Sequence, residues 1–268
     1  MQAIRSSRTI TPLTWFAWLL ILVFIVAPLA VVMPIAFSTN AFAVFPPVGF
    51  SLQWFVSIFE NPDFIDALEV SLVLACVATL AACCLGIPAA FAITRGRMPF
   101  RSVIESALLS PLVVPVLILG LALLQFVSMI DSEDARINLA IGHVLLTLPY
   151  VVRSVMVSLQ QVDRSLEEAA CVLGASPRKV FFRATLPQIS SGIAAGALFA
   201  FMMSFDDFPV AMWLADASTT PLPIFLNASI TRVFDPSIAA MSTVMVVIGT
   251  GVVLCLEKLV GLRRAMGV

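Results

Sequence analysis

Few residues in this chain are equipped for chemistry. Two adjacent carboxylates, Asp206 and Asp207, follow a long apolar run and are flanked by Phe205, Phe208 and Trp213. Carboxylates beside aromatic faces suit an ammonium group, through charge and cation–π attraction. The alternative is a helix end at an interface, solvated by water. The single histidine, His143, has no Cys or acidic residue at ligand spacing, so packing or hydrogen bonding is favoured over metal. Neither lysine, Lys179 or Lys258, follows a glycine-rich phosphate loop, and no G-x-x-x-x-G-K-[ST] occurs. If ATP drives this protein, another polypeptide hydrolyses it. Cys76, Cys83, Cys84, Cys171 and Cys255 fall in apolar runs or near one presumed face, and no structural disulfide is expected. Cys83 and Cys84 read as small apolar packing residues.

The elements that must position these groups are apolar. The 268 residues are 60% hydrophobic and 12% charged, with a mean hydropathy of +1.06. A soluble domain is closer to about 25% charged, so the chain belongs in a bilayer. About 20 apolar residues cross the hydrocarbon as a helix. Six such runs occur, at 15–37, 70–94, 106–130, 137–157, 184–205 and 236–256. The fourth contains Arg153, which can snorkel to the interface. The expected fold is all-α and polytopic, with six transmembrane helices.

With the N-terminus inside, 13 of the 15 Lys and Arg residues lie on or at the border of the inner side, leaving Arg136 and Arg232 outside. The positive-inside rule then makes both termini cytoplasmic. The outer loops carry Glu60, Asp63, Asp66 and Glu69, then Asp131, Glu133 and Asp134. The first run is too long for a signal-peptide core, so it is read as an uncleaved span, although AFA at 41–43 resembles a small-residue cleavage site. The expected organisation is a cytoplasmic N-terminus over 1–13, a six-helix domain over 14–257 and a cytoplasmic tail over 258–268. Pro28, Pro34, Pro88, Pro111, Pro115 and Pro149 lie in or at the edges of spans and imply bent helices.

One loop stands out, between the fourth and fifth spans: RSLEEAACVLGASPRKVFFRATLP, 164–187. Ser165 and Glu168 form S-x-x-E, a capping box that predicts a helix start. Leu166, Ala169, Ala170 and Leu173 then share a face. Gly174 is a left-handed stop, and Ser176-Pro177 restarts a helix. The spacing predicts a helix–turn–helix with a small, smooth apolar face. That face fits a groove on another protein, or the chain's own bundle.

These residues carry a resemblance. Glu168, Ala169, Ala170, Gly174, Leu186 and Pro187 match the EAA loop of binding-protein-dependent ABC importer permeases at the family spacing; Ala184 stands where the family usually has Ile. SFDDF at 204–208, TTPLPIF at 219–225 and SPLVVPVLILGLALL at 110–124 are similar to spermidine/putrescine-type permeases, specifically their second permease subunit. The resemblance implies a type I ABC importer permease fold in the bacterial inner membrane. It makes 160–187 a cytoplasmic coupling loop seated in an ATPase, through Ser165, Leu166, Glu168, Ala169, Ala170, Leu173, Gly174, Leu186 and Pro187. It makes 216–235 a periplasmic loop, with Thr219, Thr220, Pro221 and Pro223 facing a periplasmic solute-binding protein. Asp206, Asp207, Phe205 and Trp213 become candidate pathway residues. The implied partners are a second permease subunit, two ATP-binding subunits and membrane lipid, with no nucleic acid. No cofactor is expected, since ATP and Mg bind a partner.

The implied function is half of a pathway for a small cationic, polyamine-like amine. One departure matters. Polyamine permeases often carry an acidic residue where this chain has Val116, which leaves opines, aminophosphonates and other small organic solutes open. A self-sufficient secondary transporter would need several intramembrane charges and paired discontinuous helices. A membrane hydrolase would need a nucleophile–base or metal constellation. The nearly charge-free spans disfavour both.

Overall fold

The computed structural model describes residues 12–96, 98–232 and 235–260. Arg5, Arg8, Arg97, Arg263 and Arg264, and most of both expected terminal segments, lie outside the described residues. In chain order the helices are α1 (Pro12–Ile35), α2 (Gln53–Phe59), α3 (Pro62–Arg95), α4 (Arg101–Leu109) and, after a 3-10 turn at Ser110–Leu112, α5 (Val116–Met129). Then come α6 (Ala135–Gln161), α7 (Arg164–Val172), α8 (Pro177–Val180), a π-helical turn at Phe181–Thr185 and α9 (Leu186–Gln188). The chain continues through α10 (Ser190–Phe205), α11 (Ala211–Leu214), α12 (Leu222–Arg232) and α13 (Pro236–Val260). The fold is all-α; between described residues the one β-type pairing is an isolated bridge, Asp216 to Thr219.

Four helices are long and apolar enough to cross a membrane unbroken: α1, α3, α6 and α13. The other two expected spans are not continuous helices. The segments 101–112 and 116–129 meet at 105°, and 177–188 and 190–205 at 69°. Proline explains both breaks. Pro115 has no N–H and disfavours helical geometry at Val114, so the first half ends in a 3-10 turn and α5 starts afresh. In the second, Pro187 withholds the N–H that Arg183 O would accept, the backbone leaves helical geometry at Ile189, and side chains reach carbonyls beside the bend. Gln188 Nε2 donates to Ala184 O at 2.7 Å, and Ser190 Oγ donates to Pro187 O at 2.7 Å. A backbone group left unpaired in hydrocarbon costs several kcal/mol, which is why these substitutes matter.

The chain divides into two compact units. One comprises 1–60 and 229–246, the other 61–228 and 247–268. In the first, the loop after α1 is held by Trp54 Nε1 donating to Ser38 O at 2.9 Å and by Phe37 stacked on Phe50 with centroids 5.3 Å apart. The apolar residues Trp15 to Ile25 of α1 are exposed, as a lipid-facing helix requires.

The larger unit is built on α3, α6 and α10, which pack against one another. Asn61 caps α3 by accepting from Asp63 N, and Asp134 caps α6 by accepting from Arg136 N at 2.9 Å. Small residues let the helices approach. A Cβ on Gly192 would sit 2.5 Å from Ser158 Cβ, and one on Gly196 3.0 Å from Val151 Cα. Ser154 Oγ donates to Gly192 O at 2.8 Å across the same contact. Around it Ala82, Ala90, Ile93, Val151, Val155, Leu159, Ile189 and Ala200 form one buried cluster. A second, nearer the start of α6, joins Leu74, Leu123, Val127, Leu139, Val210, Ala211 and Leu214.

Candidate functional site

The loop between α6 and α10 folds as the expected helix–turn–helix, with one change at its start. Asp163 is the N-cap: its Oδ1 accepts from Ser165 N at 2.9 Å. Ser165 is already inside the helix, so Ser165 and Glu168 do not form the expected capping box. A carboxylate two residues earlier takes the capping role, and the positive helix N-terminus favours its charge. Hydrogen bonds from Ser165 hold the Asp163 carboxyl below its usual range. The helix ends as expected. Gly174 has φ +80°, Gly174 N donates to Cys171 O at 2.9 Å and Ala175 N to Ala170 O at 3.0 Å, a Schellman pair. Ser176 is the next N-cap with Pro177 in the first turn.

The candidate coupling face is free of the chain's own bundle. Leu173 is 88% exposed and Leu166 52%; Ser165, Glu168, Ala169 and Gly174 are exposed too, and Ala170 half-buried. At the far end of the loop Pro187 is exposed and Leu186 packs partly against the large cluster.

What fastens this helix is Glu167, which sequence reasoning passed over in favour of its neighbour Glu168. Glu167 Oε1 lies 3.4 Å from Arg95 Nη2 and accepts from Thr185 Oγ1 at 3.0 Å. Arg95 also reaches Val162 O at 3.5 Å. One carboxylate thus joins the end of α3, the first turn of α7 and the segment leading into α10. Two adjacent glutamates in the sequence give no sign of which faces inward; the helix phase set by Asp163 decides it.

The aspartate pair is split by the structure. Asp206 is exposed, whereas Asp207 is buried. Asp207 Oδ2 accepts from Val210 N at 3.1 Å and Ala211 N at 2.9 Å, and lies 3.7 Å from His143 Nε2. His143 Nδ1 is 2.8 Å from Ser204 Oγ. Asp207 therefore caps the turn after α10, and His143 makes a polar contact with it that no sequence spacing could reveal. Phe205 is buried and stacked on Phe201, while Trp213 is half-buried. In the following loop Thr219 and Pro221 are buried; Thr220 and Pro223 are half-buried. Leu222 N donates to Ser71 Oγ at 2.7 Å, tying that loop to α3.

Two cavities flank α6. One, of about 480 Å³, lies by its start and is lined by Asp66, Glu69, Arg136, Ser218, Thr219 and apolar side chains of α3 and α6. The other, of about 430 Å³, lies towards its end. Tyr150, Arg153, Ser154, Val157, Ser158 and Gln161 line it from α6, with Ser191, Gly192 and Phe199 from α10 and Leu112 from the 3-10 turn. Tyr150 and Phe199 stack at 6.4 Å.

Residues 82–264 match the family model described as binding-protein-dependent transport system inner membrane component. The chain belongs to that family. It is a permease component, not an enzyme, and a multi-pass protein of the bacterial inner membrane. The chain is 32% identical to the putrescine transport system permease protein PotI of Escherichia coli K12 over 229 residues, covering 83% of this chain and 81% of PotI. It is 27% identical to the spermidine/putrescine permease protein PotC of Haemophilus influenzae, over 76% of this chain and 80% of PotC. It is also 30% identical to the molybdenum transport system permease protein ModB of Mycobacterium tuberculosis, over 87% and 93%. The fold matches a chain in the crystal structure of a bacterial ABC transporter involved in the import of the acidic polysaccharide alginate, with TM-score 0.71, 16% identity and 93% and 96% coverage.

Proposed function

We propose that this permease lines half of the pathway of an ATP-driven importer for a small amine solute and couples to a cytoplasmic ATPase through α7. The observation that carries this reading is the exposed Leu166–Ala169–Leu173 face of α7 on a rigid mount at Glu167. An apolar helix face held away from its own bundle fits a groove in a partner. Its partners are a second permease, two ATP-binding subunits that supply ATP and Mg, and a periplasmic solute-binding protein. Charge placement makes the α7 side cytoplasmic. ATP closes the ATPase pair, α7 moves with it, and α6 and α10 follow through the Arg95–Glu167–Thr185 link.

The path runs past the two cavities flanking α6. Exposed Asp66, Glu69 and Asp206 supply acidic groups for an amine, in keeping with the names of the putrescine and spermidine relatives. Contact with the solute-binding protein goes through Ser218, Thr220 and Pro223, because Thr219 and Pro221 are turned inward. The domain limits, with 1–13 and 258–268 cytoplasmic around the 14–257 membrane domain, follow the same orientation.

The test is reconstitution in sealed vesicles. The complete complex is expected to take up solute only with ATP and the solute-binding protein. Uptake by this chain alone, without ATPase subunits, would refute the proposal.

A further inference from the structure

We infer that Arg153 is a specificity-determining residue that binds an oxyanion, a carboxylate or phosphate-type group, carried by the transported solute. The inference rests on the cavity towards the end of α6 being part of the solute's path, as proposed above.

Sequence alone allows Arg153 to snorkel away from the bilayer. The structure adds that its exposed side chain lines a cavity between α6 and α10. Arg153 lies about 27 Å along α6 from Ala135 and about 12 Å short of Gln161, at 1.5 Å per residue. Tyr150, Arg153, Ser154, Val157, Ser158 and Gln161 follow the i, i+3, i+4, i+7, i+8, i+11 pattern, a single stripe of the helix. Five of these six are polar, in a helix whose other faces bury Val151, Val152, Val155 and Leu159.

None of the residues lining this cavity is acidic. Arg153 forms no ion pair or hydrogen bond within the described residues. Tyr150, Ser158, Gln161 and Ser191 likewise keep their side-chain donors unengaged there, whereas Ser154 donates to Gly192 O. Arg153 is exposed on the cavity wall with no counter-charge among the described residues, which leaves its guanidinium open to a partner. The partner that fits is an anion. A guanidinium offers a planar fork to a carboxylate or phosphate, and hydroxyl and amide donors around it complete an oxyanion's coordination. An ammonium group gains nothing from Arg153, so its place is at the acidic groups of the other cavity. The acidic groups at the other end of α6 and Arg153 at this end together select an amine that also bears an oxyanion.

An anionic lipid headgroup carries the same chemistry, since basic pockets between membrane helices bind such groups. The unengaged hydroxyls of Ser158 and Ser191 on the same cavity wall add donors for a small solute's oxyanion. The experiment separates them.

Val157 lines the cavity, is exposed, and lies one turn from Arg153. In the complete importer, with its five cysteines replaced by serine or alanine, Val157→Cys is labelled in nanodiscs without nucleotide. The probes are a sulfonate (anionic) and a trimethylammonium (cationic) methanethiosulfonate of similar size. A unit charge about 7 Å away in a watery cavity changes the local concentration of each probe roughly threefold in opposite directions. The anionic-to-cationic rate ratio is therefore expected to fall about sevenfold to tenfold on Arg153→Gln and to hold in Arg153→Lys. A ratio that Arg153→Gln leaves unchanged, or no labelling by either probe, would overturn the inference. Labelling suppressed when phosphatidylglycerol replaces phosphatidylcholine would assign the site to lipid and overturn it too. The parent complex is checked first for ATP hydrolysis stimulated by the solute-binding protein. Absence of that stimulation refutes the importer reading itself, whereas its presence with a flat ratio refutes Arg153 alone.

Discussion

If Glu167 is the fastener of α7, replacing it must loosen that helix before it loosens anything else. Coulomb attraction for unit charges at the 3.4 Å separation of Arg95 and Glu167 is roughly 5 kcal/mol at an effective dielectric near 20, before desolvation. The pair is largely buried, so desolvation cancels most of that. A net of about 1.5 kcal/mol is reasonable for a hydrogen bond between charged groups. Glu167→Gln removes this part and leaves an oxygen for Thr185. Glu167→Ala also strands the buried Thr185 hydroxyl, for about 1 kcal/mol more. At 1.4 kcal/mol per tenfold, protection of α7 amides against hydrogen exchange should fall about twelvefold in the first variant and about sixtyfold in the second. Arg95→Gln should lose little further on top of Glu167→Gln, since the two share one interaction. Exchange in 164–173 that stays within twofold of the parent would refute the fastening, as would equal loss across α3 and α6.

Gly174→Asp places a side chain at φ +80° in open space, so the strain is about 1 kcal/mol, yet it reshapes the turn; ATP hydrolysis should persist while uptake is lost, as read by the ratio of the two rates. Leu173→Glu should leave thermal stability within about 0.5 kcal/mol, because the side chain is exposed, but cut co-purification of the ATPase subunits. Asp207→Ala leaves two buried backbone N–H groups without an acceptor and should destabilise the fold by about 2 kcal/mol in thermal unfolding, whereas Asp206→Asn should spare stability and weaken uptake of an amine. Asp163 has a depressed folded pKa, so its capping contribution is present above the usual value of 3.8 and is lost as pH falls through the lower folded value. The α7 amides should therefore hold their protection from pH 7 to about 4 and lose it below, and Asp163→Ala should abolish that step.

The parts of this permease legible from the sequence are those set by short-range rules. Apolar runs of fixed length mark the spans, and Gly174 and Ser176-Pro177 mark the turn of the 164–187 loop, because backbone strain and missing N–H groups act within a few residues. What escaped notice depends on where distant segments meet. Two spans broke because Pro115 and Pro187 each interrupt a ladder that hydropathy alone reads as continuous. Asp206 and Asp207 looked equivalent, but the chain turns after α10, and only one can reach Val210 N and Ala211 N. Glu167 and Glu168 differ by one step of helix phase, and Asp163 rather than Ser165 set that phase. Arg153 read as a residue fleeing the bilayer until α10 brought Ser191 and Phe199 beside it. In each case the side chain's type was informative about the chemistry it can do, while its neighbours across the bundle determined whether it supports the fold or faces a solute. For a chain with so few charges, that distinction decides function. Glu167 and Asp207 are engaged by the protein's own side chains and backbone, whereas Asp206 and Arg153, like Asp66 and Glu69, stay exposed.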